Sequence, residues 1–165
     1  MRTGRPERLR GFSYIGFHRY SLTFCAFDRA ALFTTREVVD PVKSQILRAA
    51  TERAFDVIAY CFMPDHVHIV AAGVSEHSDL NAFVGLGKQY SGFGYKQRTG
   101  KRLWQPYPYE HVLRDDESLA RTVRYVLENP VRAGLVKDPH EYPFVGSGVY
   151  TLDQLLDFAY ERRLA

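Results

Sequence analysis

The sequence has few cysteines, no long hydrophobic run and no strong excess of charge of one sign. Its two cysteines, Cys25 and Cys61, form no CxxC pair, which excludes a disulfide framework and predicts a reducing compartment. No segment approaches the ~18 consecutive apolar residues of a membrane span. The basic N-terminus has no apolar core of the kind found in signal peptides. These absences predict a cytoplasmic protein with no membrane association.

The composition is that of an ordinary globular domain. The chain has 165 residues, of which 45% are hydrophobic and 25% are charged, and its net charge is +3. This length suits one domain, and no internal repeat or low-complexity tract divides it. We therefore expect a single domain over residues 11–165, preceded by a flexible basic arm at residues 1–10.

Basic residues are concentrated in that arm and in a second segment, residues 96–102, which lies beside Tyr95 and Trp104. Cations next to aromatic rings are typical of proteins that neutralise phosphates and stack bases. Ordinary solvated surface is the alternative interpretation, because such runs are common on soluble proteins. The candidate nucleic-acid contacts are Arg2, Arg5, Arg8, Arg10, Lys96, Arg98, Lys101 and Arg102.

Strand and helix patterns alternate along the chain. The predicted strands are 12–27, 55–62, 66–72 and 109–114, and the predicted helices are 34–53, 78–97 and 116–128, with a short helix after a capping box at Thr151 and Gln154. Asp40-Pro41 is interpreted as a cap followed by a first-turn proline, and Asn129-Pro130 as a helix end.

The resulting order, βαββαβ followed by helices, is the ferredoxin-like order. It predicts an α+β fold in which helices cover one face of a four-stranded antiparallel sheet. The other face would then stay open and could accept an extended ligand.

The most informative feature is the pair His66 and His68, separated by one apolar residue on a predicted strand. Alternate residues of a strand point to the same side, so both imidazoles would project from one face. Two such imidazoles can converge on one metal ion, although two ligands do not complete a coordination shell. Surface histidines without a metal are the alternative. Imidazole suits Mn²⁺, Zn²⁺, Fe or Ni²⁺, whereas Mg²⁺ needs more oxygen ligands.

Four ordered segments resemble one protein family. MPDHVHIV resembles the MPNHVH signature of the HUH single-tyrosine transposases, in particular those of the REP-associated type. The stretches LWQPYPYEHVLRDDES, YVLENPVRAGLV and YPFVGS resemble later motifs of the same family. In order and spacing, the resemblance covers roughly residues 12 to 147.

The resemblance implies a metal-dependent reaction on DNA. A divalent ion, Mg²⁺ or Mn²⁺, would bind the scissile phosphate at His66 and His68, and a tyrosine would attack phosphorus. The products would be a 5′-phosphotyrosine link and a free 3′-hydroxyl. By resemblance the substrate is single-stranded or hairpin DNA, and the protein acts as a homodimer.

The nucleophile is expected on the helix after the histidine strand, where Tyr90 and Tyr95 lie about 140° apart around the helix axis. We favour Tyr90, with Tyr95 as the alternative. Tyr90 shares a helix stripe with Gln97, which we expect as a third metal ligand. The sequence departs from the family here: the family commonly carries an amide or acid four residues after its tyrosine, and Gly94 occupies that position.

This departure keeps two further interpretations open. The four-residue count back from Gln97 falls on Phe93, which has no hydroxyl. The protein would then be a catalytically inactive nucleic-acid-binding protein that kept the transposase fold. A metal-dependent phosphodiesterase that uses water instead of tyrosine is the third interpretation.

Overall fold

The computed structural model describes residue 9 and residues 11–161, and its first elements follow the predicted order. The strands are β1 (Arg19–Cys25), β2 (Phe55–Met63), β3 (His66–Gly73), β4 (Tyr109–Leu113) and β5 (Val145–Gly146). The helices are α1 (Arg36–Glu52), α2 (Leu80–Thr99), α3 (Asp116–Arg132) and α4 (Leu152–Glu161). The predicted arm at residues 1–10 lies outside the described residues, apart from Leu9.

The sheet has five strands rather than the predicted four, in the order β4-β1-β3-β2-β5 with antiparallel pairing throughout. β3 lies at its centre between β1 and β2. The added strand β5 has two residues and pairs with Tyr60 and Cys61 of β2. A strand this short carries no alternating pattern, so the sequence could not predict it.

Helices α1 and α2 pack on each other and cover one face of the sheet. Ile46 and Leu47 of α1 lie beside Val57 and Ile69 on that face. Helix α3 contacts β2 and β3, and its Tyr125 lies against His68. Because His68 and Ile69 point to opposite sides of β3, α3 lies on the face that was expected to be open. That face is therefore partly covered.

Two prolines predicted to mark helix boundaries lie inside helices instead. Thr35 is the N-cap of α1, and Pro41 is an internal residue of that helix. Pro130 is buried within α3, which continues to Arg132. An internal proline removes a backbone hydrogen bond at a cost of about 3 kcal/mol. Each helix continues because neighbouring residues are buried in the core, such as Val42 in α1.

β1 spans Arg19–Cys25 rather than the predicted 12–27, whereas the free cysteines and the start of the last helix are as predicted. Cys25 and Cys61 are buried and free. Trp104 is a core residue, only 5% exposed, and its Nε1 donates a 2.9 Å hydrogen bond to Ser91 Oγ. Thr151 and Gln154 exchange the hydrogen bonds of a capping box at the start of α4. None of the helices in the described residues is long and apolar enough to cross a membrane.

Gly73 ends β3 where another part of the backbone crosses it closely. A Cβ at this position would overlap the carbonyl oxygen of Gly16 and lie 2.9 Å from Ser78 Cβ. We expect Gly73→Ala to lower the free energy of unfolding by about 3 kcal/mol, measured by urea denaturation. Gly85→Ala is the matched control, because a Cβ there meets no atom within 4 Å. The control should raise the stability slightly, by up to about 1 kcal/mol.

Candidate active site

The two histidines lie side by side at the start of β3, as predicted. His66 and His68 occupy the same face of the strand, and their Nε2 atoms are 3.1 Å apart. The rings are nearly perpendicular, with an angle of 86° between their planes. Neither residue is fully buried. A ligand can therefore reach the point on which both nitrogens converge.

The opposite nitrogen of each ring is held by a neighbouring oxygen. His66 Nδ1 lies 2.7 Å from Asp65 Oδ1, and His68 Nδ1 lies 3.1 Å from Thr23 Oγ1. Thr23 reaches His68 because the antiparallel register of β1 and β3 places the two residues opposite each other. Such partners fix the orientation of metal-binding imidazoles and raise their basicity. Both Nε2 atoms are thereby left to face an incoming cation.

Arg29 completes this arrangement from the turn after β1. Its Nε donates to Asp65 Oδ2 at 2.9 Å, and its Nη1 donates to Cys25 Sγ at 3.0 Å. Asp28 and Arg29 both have positive φ angles, 55° and 53°, which non-glycine residues adopt at a cost of about 1 kcal/mol or more. This backbone conformation directs Arg29 back onto the carboxylate that orients His66.

The protonation states suit metal binding. Burial, followed by repulsion from neighbouring basic side chains, lowers the pKa of His68 to about 4, so its imidazole is neutral near pH 7. Partial burial acts to raise the pKa of Asp65. Hydrogen bonds from His66 and Arg29 outweigh that effect and lower the pKa overall. The site therefore combines a neutral imidazole with an ionised carboxylate behind the neighbouring ring.

The spacing of the two nitrogens fits a shared metal ion. Imidazole nitrogens bind such metals at about 2.0–2.1 Å, which puts two adjacent ligands about 3.0–3.4 Å apart. The observed 3.1 Å lies in this range. Among the described residues, no group of three or more His, Cys, Asp or Glu side chains could hold a metal. A bound ion would therefore take its remaining ligands from an amide, from water or from substrate oxygens.

The predicted third ligand and both predicted nucleophiles lie elsewhere in this conformation. Gln97 is exposed on α2, and no hydrogen bond joins it to either histidine in the described part of the chain. The hydroxyl of Tyr90 donates a 2.7 Å hydrogen bond to Glu52 Oε2 on α1, across the sheet from the histidines. This bond is the main cause that raises the Tyr90 pKa. Tyr95 is only 5% exposed, within the core.

The structure places a different tyrosine beside the histidines. The ring centroid of Tyr125 lies 5.8 Å from that of His68, and 52% of Tyr125 is exposed. The Arg132 guanidinium lies 4.0 Å from the centre of the Tyr125 ring, and its Nη2 donates to Tyr125 O at 2.6 Å. Arg132 follows Tyr125 by seven residues, which is nearly two helical turns. The spacing alone therefore indicates that the two side chains share one face of α3. The mistaken helix end at Asn129-Pro130 hid this signal.

The predicted basic contacts separate into three groups. Arg2, Arg5, Arg8 and Arg10 lie outside the described residues. Lys96 and Arg102 line a groove of about 600 Å³ between α2 and residues 102–106. Arg98 and Lys101 are exposed and do not line it.

Comparisons with known proteins agree with this geometry. A family model described as "Transposase IS200 like" matches residues 16–129. A REP-associated tyrosine transposase of Escherichia coli K12 is 26% identical over 147 residues, which is 82% of this chain and 85% of the relative. A protein of the same type from Haemophilus influenzae is also 26% identical, over 137 residues, 76% of this chain and 77% of the relative.

Two solved structures show the same fold. One is a REP-associated tyrosine transposase bound to a REP hairpin, with a TM-score of 0.69 and 23% identity over 85% of this chain and 82% of the other. The other, a transposase from Deinococcus radiodurans, has a TM-score of 0.52 and 23% identity over 75% of this chain and 97% of the other. The motifs, the paired histidines and the match across residues 16–129 together place this chain in the family of IS200-like transposases, with relatives of the REP-associated tyrosine type.

Proposed function

We propose that the protein cuts and rejoins one strand of single-stranded or hairpin DNA through a covalent tyrosine intermediate. The observation that carries this proposal is the pair of Nε2 atoms of His66 and His68. They lie 3.1 Å apart, with both Nδ1 atoms already held by oxygens. This arrangement suits a shared divalent cation. The relatives carry the name transposase, and a structural neighbour binds a REP hairpin.

A divalent cation at this pair, Mg²⁺ or Mn²⁺, would offset negative charge on the oxygens of the scissile phosphate. His66 and His68 hold that position, and Asp65 and Thr23 keep the rings from turning. A tyrosine oxygen forms a bond to phosphorus while the bond from phosphorus to the 3′ oxygen breaks. The tyrosine loses its proton, and the departing 3′ oxygen gains one. Reversal of the same step rejoins the strand, since the covalent link conserves the phosphodiester.

Tyr90 remains the proposed nucleophile, with Tyr95 as the alternative. In this structure the Tyr90 hydroxyl donates to the Glu52 carboxylate, a contact that must break before the phenol can reach the metal site. This same contact holds the hydroxyl away from His66 and His68. Attack by Tyr90 therefore requires either a movement of α2 or a tyrosine supplied by a second copy of the chain. The proposed homodimer would meet the second requirement.

Tyr125 and Arg132 are proposed to hold the DNA at the site. The Tyr125 ring is half exposed beside His68, and the guanidinium of Arg132 lies 4.0 Å from the centre of the ring. An aromatic face can stack on a base, and a guanidinium suits a phosphate. Both groups lie on α3, so they approach the histidines from the covered part of the sheet.

The direct test uses a labelled hairpin oligonucleotide with Mn²⁺ or Mg²⁺, followed by denaturing gel electrophoresis. The proposal predicts a covalent protein–DNA adduct that depends on the metal and resists boiling in detergent. Binding without an adduct under either metal would indicate a protein that binds DNA without cutting it. Cleavage without an adduct would indicate that water is the nucleophile.

Replacement of Asp65 tests the role of the carboxylate behind His66. Asp65→Asn removes the charge and leaves the shape, so the His66 ring loses the anionic partner that orients it. We expect Mn²⁺ affinity to fall by about 10- to 100-fold, measured by isothermal titration. Asp138→Asn is the matched control, because Asp138 also accepts a hydrogen bond from a histidine ring but lies apart from the pair. Equal metal affinity in the Asp65 variant and the wild type would contradict this role.

A further inference from the structure

The groove beside α2 has the chemistry of a nucleotide-binding site. Its lining includes Lys88, Phe93, Lys96 and Arg102 but no acidic residue. Its volume of about 600 Å³ lies within the range of about 300–1,000 Å³ that is usual for small-ligand sites. A cationic groove with an aromatic face is suited to a single nucleic-acid strand.

One wall of the groove is held in place by several contacts. Lys88 Nζ donates to the carbonyl oxygens of Gln105 and Pro106 at 2.6 and 3.2 Å. Trp104 is anchored to α2 through Ser91. The segment that faces α2 is therefore positioned before any ligand binds.

The groups that face the groove are free to bind a ligand. Phe93 is 66% exposed, which is unusual for a large apolar side chain on a helix. The side chain of Lys96 forms no hydrogen bond or ion pair with any described residue. Arg102 lies over the Phe27 ring at 4.9 Å and donates to Trp104 O, but no carboxylate within residues 11–161 neutralises it. An aromatic face and two available cations match a base and its phosphate.

The groove also lies at the same end of the sheet as the histidines. Gln105 N donates to Cys25 O at 2.9 Å, and Phe27 N donates to Leu103 O at 2.8 Å. Cys25 is the β1 residue opposite His66. A strand that leaves the histidine pair around this end of the sheet would meet the groove next.

We infer that this groove binds one unpaired nucleotide of a DNA strand, with the base stacked on Phe93 and the phosphate at Lys96 and Arg102. The inference depends on the proposed function only for the choice of DNA as the ligand. The binding step needs neither the metal nor the nucleophilic tyrosine.

The test measures fluorescence anisotropy with a short labelled single strand and with the same strand paired to its complement. Phe93→Ala should weaken single-strand binding by about 5- to 100-fold, because one base–aromatic stack is lost. Duplex binding should stay the same. Phe17→Ala is the matched control, since Phe17 is 70% exposed and lies outside the groove, and it should change neither affinity.

Substitutions of Gly85 and Lys96 test the space in the groove and its phosphate contact separately. Gly85 lines it, and a Cβ at this position meets no atom within 4 Å. Gly85→Leu should therefore fold and fill the space, with about tenfold weaker single-strand binding, whereas Gly85→Ala should bind nearly as the wild type does. Lys96→Gln should reduce the slope of log affinity against log salt by about 0.7, as expected for one lost phosphate contact.

The inference is overturned if Phe93→Ala and Gly85→Leu bind the single strand as well as the wild type does. It is also overturned if both variants weaken single-strand and duplex binding equally. The adduct assay separates these results from the proposed function. A wild-type protein that forms no adduct, but binds the single strand through Phe93, would retain the groove and refute strand cutting. An enzyme that forms the adduct, but whose two variants bind the single strand as the wild type does, would support strand cutting and refute the groove.

Discussion

Replacement of His66 or His68 by alanine is expected to abolish the metal-dependent DNA adduct, with a rate loss of about 10³-fold or more. The physical reason is that each imidazole supplies one of the two nitrogens that converge within 3.1 Å. A metal contributes several kcal/mol to such a transition state, and each 1.36 kcal/mol is about a factor of ten in rate. Adduct formation on the labelled hairpin, followed over time at several Mn²⁺ concentrations, measures this loss.

His77→Ala is the matched control for the histidine variants, because its side chain is 86% exposed and is remote from the pair. It should form the adduct at the wild-type rate. Circular dichroism should show that the His66 and His68 variants remain folded, since neither ring lies in the core. An adduct that persists in the His66→Ala, His68→Ala double variant would disprove the proposed metal site.

Replacement of each candidate tyrosine in turn is the second decisive experiment. Tyr90→Phe is expected to lower adduct formation by about 10⁴-fold or more, as is usual when a nucleophile is removed. Tyr95→Phe and Tyr125→Phe should retain most of it. Tyr125→Ala should weaken the reaction through DNA binding, because it removes the ring and not only the hydroxyl. Gel detection of the adduct, together with anisotropy measurements, separates these effects.

A different outcome would reassign the nucleophile. Loss of the adduct only in Tyr125→Phe would identify Tyr125, whose ring lies beside His68 and which has Asn129 four residues after it, as the attacking residue. A mixture of Tyr90→Phe and His66→Ala proteins tests the dimer: a regained adduct requires that one copy supplies the tyrosine and the other the histidines. If the wild-type protein forms the adduct and the mixture does not, the result would favour a movement of α2 within one chain.

Much of the fold was predictable because long amphipathic elements leave clear patterns in a sequence. The predicted strands over 55–62 and 66–72 differ from β2 and β3 by a single residue at their C-terminal ends. β1 was predicted too long, since the aromatic residues from Phe12 onward resemble a strand but pack as an irregular segment. Pro41 and Pro130 lie inside helices because burial of nearby side chains outweighs the local preference to end a helix.

The site was predictable only in part. HxH on a strand implies a shared face, and the register of β1 then supplies Thr23 as a partner of His68. The position of Asp65 directly before His66 suits either a contact with the ring or a tight connection, and the structure shows its carboxylate at His66 Nδ1. Arg29 carried no signal, since its side chain reaches Asp65 only through a left-handed backbone at the end of β1.

The sequence by itself determined the family, the order of the elements and the pairing of His66 with His68, since each depends on spacing along the chain. The tertiary structure decided which tyrosine ring lies beside the histidines, which helix covers their face and which cations share a groove. These features depend on contacts between residues far apart in sequence. Local periodicity says which way a side chain points, but only packing says what it meets there.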